Sequence, residues 1–161
     1  MGRRDNGWIV IPIILVLVVL AVLFIKPPFP QPYVPSVTFI SSQTAQIPLT
    51  SNQTSSLIVL TVTKTDNANV STSFIVDYTI IPAGSNALII KNDYGQQISQ
   101  CNISPLVHEG AHGNCEFTIT ALSPSSLSAS YLINATLEYN GSVMTNVHPN
   151  PISFNVTVKR S

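Results

Sequence analysis

Apolar positions follow two regimes along the chain. From Trp8 to Ile25 they are continuous, eighteen residues without a charge. As a helix rising 1.5 Å per residue this stretch is about 27 Å long, close to the hydrocarbon thickness of a bilayer. From Ser36 onward the period becomes two. Val37 and Phe39 flank Thr38, and Leu57 to Lys64 is a β-branched run. Phe74, Val76, Tyr78 and Ile80 face one way, with Asp77 and Thr79 on the other parity. Ala87 to Lys91 is a short apolar strand, and Phe117 and Ile119 alternate within Glu116 to Thr120. Tyr131 to Tyr139 and Ile152 to Val158 alternate again. Polar turns at Thr65–Ser71 and Pro82–Asn86 separate these runs.

The pattern predicts about seven strands and no amphipathic helix, hence an all-β fold: an antiparallel two-sheet β-sandwich behind one N-terminal transmembrane helix. The aromatics Phe74, Tyr78, Phe117, Tyr131, Tyr139 and Phe154 fall mostly on inward parity and are expected to form its core.

The flanks of the apolar run set its expected role. Arg3 and Arg4 precede it, and Leu-Phe-Ile-Lys-Pro-Pro follows, without the small-residue site that a signal peptidase needs. Pro12 sits near the first turn, where a missing N–H costs least, and Trp8 fits an interfacial anchor. The run therefore reads as a retained anchor, in contact with membrane lipid through residues 8–25; a cleaved signal and a buried core helix are the alternatives. The positive-inside rule leaves residues 1–7 in the cytoplasm and the C-terminal domain outside. Pro27 to Pro35 holds five prolines in nine residues, a polyproline II stalk about 28 Å long. The expected plan is a tail at 1–7, a membrane helix at 8–25, a stalk at 26–35 and a sandwich at 36–161.

Charge and composition narrow the partners. From Ser36 there are four basic and six acidic residues, so no electrostatic footprint for nucleic acid exists. Six Asn-x-Ser/Thr sequons start at Asn52, Asn69, Asn102, Asn134, Asn140 and Asn155, all beyond the anchor, and they point to an extracytoplasmic glycoprotein. Asn134, Asn140 and Asn155 fall on the polar parity of their strands. Cys101 and Cys115 enclose thirteen residues and outside the cytoplasm are read as a disulfide; two free buried thiols are the alternative.

The sharpest chemical motif is His108-Glu109-Gly110-Ala111-His112. It resembles the His-Glu-x-x-His of zincin metallopeptidases, in which a helix places two histidines on one face around zinc. Here Pro105, Gly110 and Gly113 crowd the segment and the cysteines close it. A solvent-exposed loop is therefore expected, with His108 and His112 weak metal candidates. A blue-copper site needs His and Met near its cysteine. Cys115 has neither close by, and Met144 and His148 lie far downstream. No cofactor and no enzymatic activity are expected.

Ile75 and Ile81 share the parity of Asp77 and Thr79, and no sequon occurs between Asn69 and Asn102. The two isoleucines are a tentative interaction patch, on the expectation that this strand lies in a glycan-free zone; coverage of both faces by the domain itself is the alternative. The layout of basic tail, single anchor, proline stalk and sequon-rich sandwich resembles small envelope proteins of archaea. It is most similar in plan to the stator-type accessory proteins of the archaellum. That resemblance implies an immunoglobulin-like domain outside the membrane and a non-enzymatic anchoring module. Its partners would be other envelope proteins, an S-layer or a surface filament. The rival expectations are a filament subunit joined by strand addition or self-association, an accessory subunit of a membrane enzyme complex, and, last, the metallopeptidase.

Overall fold

The structure is a computed structural model that describes residues 32–82, 87–122 and 128–160, with Val16 alone before them. The chain divides into two units, Met1–Val34 and Pro35–Ser161. The expected anchor, apart from Val16, and the stalk up to Gln31 lie outside the described residues.

Ten strands occur among the described residues: β1 (Val37–Ser41), β2 (Gln46–Thr50), β3 (Ile58–Lys64), β4 (Thr72–Ile81), β5 (Leu88–Lys91), β6 (Gln100–Leu106), β7 (His112–Ala121), β8 (Ser128–Tyr139), β9 (Ser142–Val143) and β10 (Ile152–Lys159). They form two sheets. One runs β1-β3-β7-β5; the other runs β2-β10-β8-β4-β6, with β9 paired to β8. No helix occurs within the described part of residues 32–160. The second unit is thus an all-β sandwich of two sheets.

Alternation explains which faces meet. In β3, Ile58, Leu60, Val62 and Lys64 are buried and the residues between them are half-buried. In β10, Ile152, Phe154, Val156 and Val158 are buried. Phe117 of the four-stranded sheet packs against Tyr78 and Phe154 of the other, with ring centroids 4.8 and 6.1 Å apart. These tilted and edge-on contacts, on top of the area buried, join the sheets at the centre.

Two sequence expectations change. The strands number ten, because β2, β6 and β9 were not visible as periodic runs. The sandwich is also not purely antiparallel, since β2 runs parallel to β10, with Ile47 opposite Val156 and Leu49 opposite Val158. After β1 pairs with β3, the chain crosses to the other sheet and lies along β10. Pro48 inside β2 is tolerated because β2 is an edge strand, where a missing N–H breaks no second ladder.

The expected loop between the cysteines is mostly strand. β6 pairs with β4, and its register shifts between Thr72 and Phe74, so that Leu106 and Ile103 both point inward although three residues apart. The extra residue is a bulge, and Pro105 sits in it. β7 then starts at His112. Cys101 in β6 and Cys115 in β7 are joined, S–S 2.05 Å and Cα–Cα 6.0 Å, so the disulfide links the two sheets. Near it, a Cβ on Gly113 would lie 2.4 Å from Cγ2 of Ile103. Glycine at 113 is what lets Ile103 close down on β7.

Candidate functional site: the outer face of the six-stranded sheet

Three sequon asparagines lie in strands of this one sheet. Their spacing is the strand's own: in Asn102-Ile103-Ser104, Asn134-Ala135-Thr136 and Asn155-Val156-Thr157 the central residue is buried. Asn102 and Asn155 are exposed, and Asn134 is half-buried. The remaining three are exposed and lie in turns or loops. Asn140 is not on a strand face, where its parity placed it: Asn140 (φ 51°) and Gly141 (φ 72°) form the two-residue turn between β8 and β9, with Tyr139 opposite Ser142. An Asn-Gly pair with both φ positive is the preferred tight hairpin turn. Asn52 (φ 63°) likewise turns the chain after β2. These two asparagines therefore have a backbone duty of their own. Asn134 accepts a hydrogen bond from the Ser153 hydroxyl, 2.8 Å, whereas Asn69 stands in the β3–β4 connection.

The register places the tentative patch among these sites. Ile75 lies opposite Asn102 on β6 and opposite Glu138 on β8. Thr79 lies opposite Asn134, and Ile81 opposite Leu132, which itself faces Asn155. The outward face of β4 is thus bordered by sequon asparagines and is not set apart from them. The expectation of a sequon-free zone failed because β6, distant from β4 in sequence, is its neighbour in the sheet. Ile75 is half-buried, and Ile81 is 44% exposed. A hollow of ≈ 450 Å³ opens on this face, lined by Ile75, Asn102, Pro105, Glu138 and Asn140 among others. None of the six sequon asparagines lies in a strand of the four-stranded sheet.

His108 and His112 are not on a helix. His108 is exposed in the turn between β6 and β7, its Nδ1 3.0 Å from the Glu109 carbonyl oxygen, and the Ala111 N–H bonds back to the His108 carbonyl. His112 is in β7 opposite Thr63. The helical i, i+4 geometry that the zinc motif requires is therefore absent. Among the described residues no group of three His, Cys, Asp or Glu side chains is placed to hold a metal ion.

One organising residue escaped the sequence reading. Lys64 is fully buried at the end of β3. Its Nζ donates to the carbonyl oxygens of Ala68, Val70 (2.9 Å) and Val107 (3.1 Å), and lies 3.5 Å from Oδ1 of Asp66. Its backbone joins Gly110 and Ala111 of the β6–β7 turn. One ammonium thus ties two connections at the same end of the sandwich. The signal was its inward parity after Ile58, Leu60 and Val62.

Tyr78 is the opposite case. Its ring is buried against Phe117, but its hydroxyl has no hydrogen-bond partner among the described residues. Burial pushes the phenol well above its ordinary value near 10. Tyr78→Phe is expected to leave the domain as stable or about 1 kcal/mol more stable, because an unmet buried donor is removed. Above pH 10 the unfolded phenol loses a proton that the folded one keeps, so Tyr78 makes stability fall as pH rises. Urea unfolding from pH 8 to 11 should show a shallower alkaline decline in the variant. An equal decline in both proteins would refute this account.

No family model matches the sequence, and no curated protein does either. Among solved structures, the chain is similar to part of E. coli alpha-2-macroglobulin, with TM-score 0.44 and 15% identity over 78% of this chain and 6% of that one. It is similar to part of a beta-glucosidase from Listeria innocua, with TM-score 0.48 and 7% identity over 79% of this chain and 16% of that one. It is also similar to the ASH/PapD-like domain 7 of human CEP192, with TM-score 0.42 and 12% identity over 82% and 91% of the two chains.

Proposed function

We propose that this chain is a membrane-anchored, non-enzymatic interaction module on the outer side of the cell membrane, with its sandwich glycosylated and its partners other envelope proteins. The observation that carries the reading is the Cys101–Cys115 disulfide between the two sheets. Such a bond persists in an oxidising compartment, and in sequence it follows an uncharged eighteen-residue stretch preceded by Arg3 and Arg4. The positive-inside rule and a disulfide's preference for oxidising compartments both support the outer side for the sandwich. The archaeal envelope layout supplies the partner class, an S-layer or a surface filament.

Protease treatment of intact cells tests the arrangement. The sandwich should be cut away, leaving a membrane fragment that contains residues 8–25. Detergent co-purification of the full chain should bring down an envelope protein. A sandwich protected in intact cells and digested only after lysis would overturn the orientation.

A further inference from the structure

The hollow beside Ile75 and the sequon at Asn102 occupy the same place. We propose that Asn102 carries an N-linked glycan whose first sugar lies in this hollow and covers Ile75. The inference rests on the extracytoplasmic reading above and assigns to one sequon a structural task.

Three observations carry it. Asn102 is exposed and is the direct cross-strand neighbour of Ile75, so a group on its Nδ2 starts at the rim of the hollow. The hollow is open to solvent and offers ≈ 450 Å³ of space beside Ile75. Its lining suits an amphipathic sugar: Ile75 and Pro105 offer apolar surface to ring C–H groups, and Glu138 and Asn140 offer acceptors to hydroxyls. Asn140 also borders the hollow but already serves the β8–β9 turn.

The transfer balances with a lipid-phosphate-linked oligosaccharide as donor. The Asn102 amide nitrogen bonds to the anomeric carbon as the bond from that carbon to phosphate oxygen breaks. The amide gives up one proton, and the lipid phosphate leaves with the electron pair.

The test uses full chain purified in detergent from the cells that make it. Glycopeptide mass spectrometry should find sugar on Asn102. Amide hydrogen exchange over Ser73–Asp77 should become roughly threefold faster or more in Asn102→Gln. Ser104→Ala removes the sequon without touching Asn102 and should have the same effect, which covers a folding defect in the first variant. Asn69→Gln should leave these amides unchanged. Sugar at Asn69 or Asn155 with Asn102 bare would overturn this proposal alone. No sugar on any sequon would overturn the glycoprotein reading with it. Sugar at Asn102 with unchanged exchange in both variants would show that it projects into solvent, and would overturn the packing in the hollow.

Discussion

Lys64→Met should destabilise the sandwich by about 3 kcal/mol, among the largest single effects expected outside the central aromatics. Methionine keeps the length of the buried stem and most of its packing, so the loss isolates the ammonium. Replacing a whole buried ion pair with apolar groups is often neutral, because both desolvation costs vanish together. That escape is closed here. The principal acceptors are the backbone carbonyls of Ala68, Val70 and Val107, which no side-chain substitution removes. These acceptors are part-buried, and each one left without a partner costs about 1–3 kcal/mol where water cannot replace the donor. Asp66 is less affected, being 20% exposed and already accepting from the N–H groups of Ser36 and Ala68 at 2.8 and 3.0 Å. Denaturant unfolding should show the lower midpoint. Hydrogen exchange should rise first in residues 65–71 and 107–111, the two connections that Lys64 holds. An unchanged midpoint would mean that the carbonyls find water, and that the ammonium contributes little.

The strands buried on one face were legible because their alternation is clean. In β4, Phe74, Val76 and Tyr78 are buried as their parity required, and in β8 so are Ile133, Ala135 and Leu137. β6 was not legible. Its bulge breaks the period between Ile103 and Leu106, and Pro105 argues against a strand unless that strand is known to be an edge. β2 was hidden in the same way by Pro48, and its parallel pairing cannot be read from a pattern of period two. The candidate surface failed to emerge for a topological reason. Whether Ile75 stands near a sequon depends on β6 returning to pair with β4 after β5 has joined the other sheet, and no local pattern encodes that return. The agreement between sequons and polar parity has a geometric cause. An Asn-x-Thr with an apolar central residue, once it lies in a strand with that residue inward, puts both polar ends outward. Parity therefore reports that these strand asparagines point outward, while occupancy depends on the compartment.

Reducing the Cys101–Cys115 disulfide should cost about 3 kcal/mol, the amount expected on the chain-entropy account for a closed loop of this length. The bond matters more than its loop suggests because of what it joins. Among the described residues β6 pairs with one strand, β4, and that ladder is interrupted by the bulge. The disulfide supplies a covalent tie from this strand to β7 in the opposite sheet, next to the close approach of Ile103 and Gly113. Cys115 is fully buried and Cys101 half-buried, so reductant should act slowly on the folded domain and readily once it unfolds. Urea unfolding with and without reductant should separate the two midpoints. The Cys101→Ala/Cys115→Ala variant should match the reduced protein and no longer respond to reductant. Loss of the bond should also speed amide exchange in β6 more than in β8, which is paired along both edges by β10 and β4. Equal midpoints under the two conditions would show that β6 is held by its packing alone.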